Sequence, residues 1–132
     1  MDTLDSFLFK KITGLLLSCA LMWGAAVSAE PAGRTDHLLE TIHYLLEFVK
    51  RSECRFYRNN KMHTAGEAAA HMQKKYEHFK AEIKIPEDFI RLAATRSLMT
   101  GKRYHVELKN GKKITSEAWL LQALEAYRQK QD

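Results

Sequence analysis

Residues 12–27 carry no charge, follow the pair Lys10-Lys11 and run into the small-residue ending Val27-Ser28-Ala29, just before Glu30-Pro31. This is the tripartite layout of an export signal. The lysines stay on the cytoplasmic side, the apolar run enters the translocon, and the peptidase needs small side chains one and three positions before the cut. The pattern predicts a signal peptide over residues 1–29, cleaved after Ala29, and a single working domain over residues 30–132. A permanent anchor is the other reading of such a run. It normally takes ~20 apolar residues, and Gly14 and Gly24 weaken this one. A further alternative is a lipoprotein acylated at Cys19, since Leu16-Leu17-Ser18-Cys19 loosely resembles a lipobox. Leu17 is bulky for that position, and the residues after Cys19 are apolar where a lipoprotein tether is usually polar.

Export constrains the remainder. A domain of this length hides roughly two-thirds of its unfolded surface, enough for one modest core. Only Cys54 lies beyond the signal. One cysteine makes no internal disulfide, so the domain must hold by packing in an oxidising compartment. Cys54 is then either buried and inert or an intermolecular thiol. Nineteen Lys and Arg against fourteen Asp and Glu follow Ala29, a net +5 with histidines neutral. That bias favours anionic partners. Nucleic acid is not expected outside the cytoplasm, and contact with the membrane is expected only through the signal.

The periodicity predicts alternating hairpins and helices. Leu38, Ile42, Leu45 and Val49 recur at helical spacing over residues 35–51, with Leu39 and Leu46 widening the stripe and Thr35 as cap. Residues 54–58 read as a strand, Asn59-Asn60 as a turn tolerating positive φ, and Met62-His63 as the return. Thr64-Ala65-Gly66-Glu67 is a capping box. The helix behind it buries Ala65, Ala68, Met72, Tyr76 and Phe79 and ends near Ala81. Pro86 opens a third helix with Phe89, Ile90, Ala93 and Ala94, and a loop runs over 97–101.

Residues 104–108 alternate as a strand, and Asn110-Gly111 signals a type I′ hairpin. Ile114 returns, and Thr115 or Ser116 caps a last helix with Trp119, Leu120, Ala123, Leu124 and Tyr127 inward. The stretches around Tyr57 and Glu107 share this hairpin, cap and helix order at an offset of 50 to 51 residues, a possible ββα repeat. A lone hairpin is marginal, so the two are expected to pair. The fold class is α+β: about four helices on a small antiparallel sheet of two hairpins.

No recognised nucleophile elbow, zinc-helix motif, phosphate-cradling glycine loop or Cys-x-x-Cys is present. No catalytic residue, metal site or cofactor is expected. Glu67 and His71 are spaced to share a metal ion, but His78 lies two turns on and no further ligand is set by spacing. Glu67, His71 and Lys75 step along one helix flank every four residues. They read either as a ladder of i,i+4 pairs worth ~0.3 kcal/mol each or as one wall of a groove with Arg58 and Asn59.

At these residues the chain resembles the YfeK-like proteins, small exported proteobacterial proteins of unknown function. The resemblance rests on Phe56-Tyr57-Arg58-Asn59-Asn60, on Glu67-Ala68 with His71 and Lys75, on Phe89-Ile90 with Ala93, and on residues 96–104 from Arg96 through Ser97 and Gly101 to Tyr104. The chain departs from that pattern at Asn60, where glycine is usual, at Leu98, where a second serine is usual, and at Arg103, where proline is usual. The resemblance implies a periplasmic location and a shared fold, and no activity.

The positions it marks are candidate contacts: Arg58, Glu67, His71, Lys75, Arg96 and Tyr104. Asn59, Ser97 and Gly101 read as turn, loop hydrogen bond and positive φ. Three functions compete. The first is a non-enzymatic module binding an anionic envelope component or a periplasmic protein. The second is a small hydrolase with His71 as general base, oriented by Glu67 and working with Ser97 or a water. The third is an assembly role through Cys54.

Overall fold

The computed structural model describes residues 32–132; the stretch expected to be an export signal, with Cys19, lies outside the described residues. Helix α1 (Ala32–Arg51) is followed by strands β1 (Arg55–Arg58) and β2 (Lys61–His63), helices α2 (Ala65–Phe79) and α3 (Pro86–Ala93), strands β3 (His105–Glu107) and β4 (Lys113–Thr115), and helix α4 (Ser116–Arg128). The α+β expectation holds, and the two hairpins join into one antiparallel sheet of order β2-β1-β3-β4. Each hairpin runs into a threonine-capped helix, α2 behind Thr64 and α4 behind Thr115. Among the described residues no helix is long and apolar enough to cross a membrane.

Register decides which side chains meet. Phe56 lies opposite both His63 and Val106, and Val106 opposite Ile114. That row faces the helices. Met62, Tyr57, His105 and Thr115 form the row on the opposite face. Side chains alternate along a strand, so Arg58 shares the inner face with Phe56. The core beneath the sheet joins Ile42, Leu45 and Val49 of α1, Phe89 and Ile90 of α3, and Leu120 and Leu124 of α4.

Several local expectations are corrected. Thr35 sits inside the first helix rather than at its cap, since Ala32, Gly33 and Arg34 before it are already helical. Leu39 stands 44% exposed, outside the buried stripe. Helix α2 ends at Phe79, which is half-buried, rather than near Ala81.

The first hairpin turn takes the positive φ expected of it, and the second departs from the type I′ expectation. Asn59 and Asn60 both take positive φ, 51° and 63°, as a type I′ turn requires. In the second hairpin only Gly111 does, at 83°. There the Gly111 N–H donates to the Leu108 carbonyl and the Leu108 N–H to the Lys112 carbonyl, closing a three-residue loop on a left-handed glycine. Asn110 instead spends its side chain accepting from the Lys112 N–H at 3.0 Å.

Candidate functional site

Where the inner face of β1 meets the first turns of α2, the packing leaves a cavity of about 20 Å³. One water needs ~10–15 Å³ by the same measure, so the space suits one or two groups of that size. Its floor is apolar and buried: Phe56 of β1, Ala68 and Met72 of α2, and Tyr104 just ahead of β3. The i,i+4 geometry that stacks Ala68 on Met72 also stacks Glu67 on His71. His71 and Arg58 are half-buried at the wall, beside His63 and Tyr57, and exposed Glu67 stands at the rim.

Ser116 closes the floor. It is the first residue of α4, with Thr115 as the cap whose hydroxyl accepts from the Ala118 N–H. Relieved of capping, Ser116 is fully buried and its hydroxyl meets no partner among the described residues. A buried polar atom left unmatched costs about 1–3 kcal/mol. Ser116 is among the residues that line the cavity.

The wall is short of negative charge. The Arg58 guanidinium has no hydrogen bond or ion pair among the described residues. Its field nevertheless acts on His63, His71, Lys75 and Tyr104. Burial, then Arg58, Lys75, His63 and Lys74, press the His71 imidazole down to about 4. The Nε2 atom of His71 lies 3.3 Å from the Tyr104 hydroxyl. Burial raises Tyr104 above the usual phenol range, against the opposing pull of Arg58. Burial and Arg58 likewise lower His63, outweighing Glu67.

Glu67 is occupied elsewhere. Its carboxylate accepts from the Thr64 N–H at 2.8 Å and lies 3.9 Å from His63. The Thr64 N–H holds that carboxylate below the ordinary range against the opposing cost of burial, with a smaller contribution from the Thr64 hydroxyl.

The six residues marked in the sequence therefore separate. Arg58, Glu67, His71 and Tyr104 line one cavity. Lys75 lies behind it, 7% exposed, donating to the Arg96 carbonyl at 2.8 Å with its ammonium 5.2 Å from the Tyr104 ring centre. Burial, then Arg58, lowers Lys75. The Arg96 side chain is exposed away from the cavity, and only its backbone takes part.

The expected charge ladder along α2 does not form, because Glu67 turns back to the cap and Lys75 inward to the loop. Nor does Glu67 orient His71 as the hydrolase reading needs. The Ser97 hydroxyl accepts from Asn59 at 3.4 Å and from the Thr100 N–H at 3.3 Å, which ties it to the loop. Gly101 there takes φ 68°. Among the described residues no group of three or more His, Cys, Asp or Glu is placed to hold a metal ion.

Phe56, His63, Met72 and Ser116 were not marked as site residues by the sequence. Ser116 carried the clearest available signal, a second hydroxyl at a helix start that needs only one cap.

A model described as a family of unknown function, DUF5329, matches residues 36–128. The chain belongs to that family. The DUF5329 match runs from within α1 to the last residue of α4 and takes in every residue of the cavity. Comparison with curated proteins yields no match, and neither does comparison with solved structures.

Proposed function

We propose that this DUF5329 chain is an exported, non-enzymatic module that binds an anionic group, with Arg58 and His71 as its principal contacts. The observation that carries the reading is that the Arg58 guanidinium and the hydroxyl of Ser116, two residues lining one cavity, have no partner among the described residues. Both are donors without acceptors, and an anion supplies acceptors. The Lys10-Lys11 start, apolar run and Val27-Ser28-Ala29 ending support delivery to the periplasm. The resemblance of residues 56–60 and 96–104 to YfeK-like proteins supports the same location.

Burial first, and then the neighbouring cations, keep His71 neutral, and a bound anion offsets the part due to the cations. His71 then gains a proton and becomes a second cationic contact, so affinity rises as pH falls from 7 toward 5.

The test is titration of the protein with small anions while following the His71 ring protons by NMR. Saturable shifts are expected, and they should vanish in Arg58→Glu. Shifts that persist unchanged in that variant place the binding elsewhere and end this reading.

A further inference from the structure

The cavity is selective in shape as well as charge. Its floor, Phe56, Ala68, Met72 and the Tyr104 ring, offers contact to an apolar group, and Ser116 beside them carries a buried hydroxyl with no partner among the described residues. At about 20 Å³ it accepts a group the size of a methyl or a water. Arg58 at the wall presents a planar fork that matches two coplanar oxygens.

A phosphate or sulfate fits this poorly. It presents oxygens in every direction, and those turned to the floor would be desolvated against carbon. A carboxylate keeps its charge on one side of a carbon skeleton. Its oxygens can meet Arg58 while the adjoining carbon enters the floor.

We propose that the cavity recognises a carboxylate bearing a methyl-sized apolar substituent, the chemistry of an alanine-terminated peptide or of a short aliphatic acid. This rests on the anion-binding reading above and narrows it. Arg58 takes the carboxylate, Ser116 donates to its inner oxygen, and the substituent packs on Phe56 and Met72. His71, held toward the cavity by Tyr104, completes the wall.

The experiment is an NMR titration of the protein, purified as its host produces it, with Gly-Gly-Ala, Gly-Gly-Ala amide, Gly-Gly-Phe, propionate and inorganic phosphate. Gly-Gly-Ala or propionate is expected to saturate the signals of His71 and Ser116. Binding by the peptide alone assigns the source to chain ends, and binding by propionate alone to free acids. The amide and Gly-Gly-Phe should bind at least tenfold more weakly than Gly-Gly-Ala.

Arg58→Gln should weaken binding at least tenfold. Ser116→Ala, which keeps the packing and removes the donor, should weaken it several-fold while the protein stays folded. Saturation by phosphate with no displacement by either carboxylate overturns this proposal and leaves anion binding standing. Equal affinity for Gly-Gly-Phe overturns the size selection. Failure of every probe removes both readings.

Discussion

The Tyr104 hydroxyl sits 3.3 Å from Nε2 of His71, joining the residue ahead of β3 to the second turn of α2. Tyr104 is also the residue whose carbonyl accepts from the Ser116 N–H at 3.0 Å and whose own N–H donates to Thr95 at 2.9 Å. One residue thus positions the imidazole and the start of α4 around the same cavity. Tyr104→Phe keeps the ring and backbone but leaves His71 without that partner. A stability loss of about 1 kcal/mol is expected, read as a lower denaturant midpoint.

The depressed His71 value makes stability depend on pH. Arg58 faces the ring from β1 and His63 from β2, while Lys74 and Lys75 share its helix, and with burial they hold the folded imidazole near 4 against an ordinary 6.5. Between those values the unfolded chain binds more protons than the folded one, so acidification favours unfolding. Stability from this group is therefore fully present above 6.5 and lost as pH falls toward 4. His63, also lowered, adds with the same sign. Denaturant midpoints measured from pH 7 to pH 4 should fall, and His71→Gln should flatten part of that slope.

Ser116→Ala should stabilise the empty protein. The substitution removes a buried hydroxyl with no partner and places a better helix former at the first position of α4. A gain of about 1 kcal/mol is expected from the relieved desolvation, seen as a higher melting temperature. Gained stability alongside weakened binding is the pattern of a group kept for function.

Lys75→Met separates scaffold from contact. Its ammonium is committed to the Arg96 carbonyl, which anchors the loop before β3 to α2. Methionine fills the stem but leaves that carbonyl unmatched, at a cost of about 1–3 kcal/mol. Equilibrium unfolding should show that loss, while affinity for a small anion changes less than in Arg58→Gln.

Asn60→Gly tests the first hairpin. Asn60 holds φ 63° at the second central position of its turn, where glycine carries no Cβ penalty. A gain of about 0.5 kcal/mol is expected, after the greater freedom of glycine in the unfolded chain is set against it. Thermal unfolding of the single variant measures it.

The elements were legible where local chemistry acts alone. Thr64 and Glu67 form their box because both partners lie within one turn, and the apolar spacing of Trp119, Leu120, Ala123, Leu124 and Tyr127 marks the buried face of α4. The type of the second turn was not legible. Asn110-Gly111 carries the stronger type I′ signal, yet its loop closes with three residues and Asn59-Asn60 takes that geometry instead. The propensity of a dipeptide is small beside the register imposed by two paired strands.

The candidate site was legible in part for the same reason. Arg58, Glu67, His71 and Tyr104 were each identifiable, but their meeting depends on how β1 packs on α2, a contact between distant stretches of chain. Lys75 and Arg96 were marked as candidate contacts, and packing turned one inward and left the other outside. Glu67 looked like a partner for His71 until its helix cap claimed it.

The most direct measurement is the His71 titration by NMR, with and without a saturating small anion. This account predicts a value near 4 in the free protein and a rise of at least one unit in the complex, as the anion offsets Arg58 and Lys75. An unchanged titration in the presence of every anion tried, or an ordinary value near 6.5 in the free protein, would contradict it.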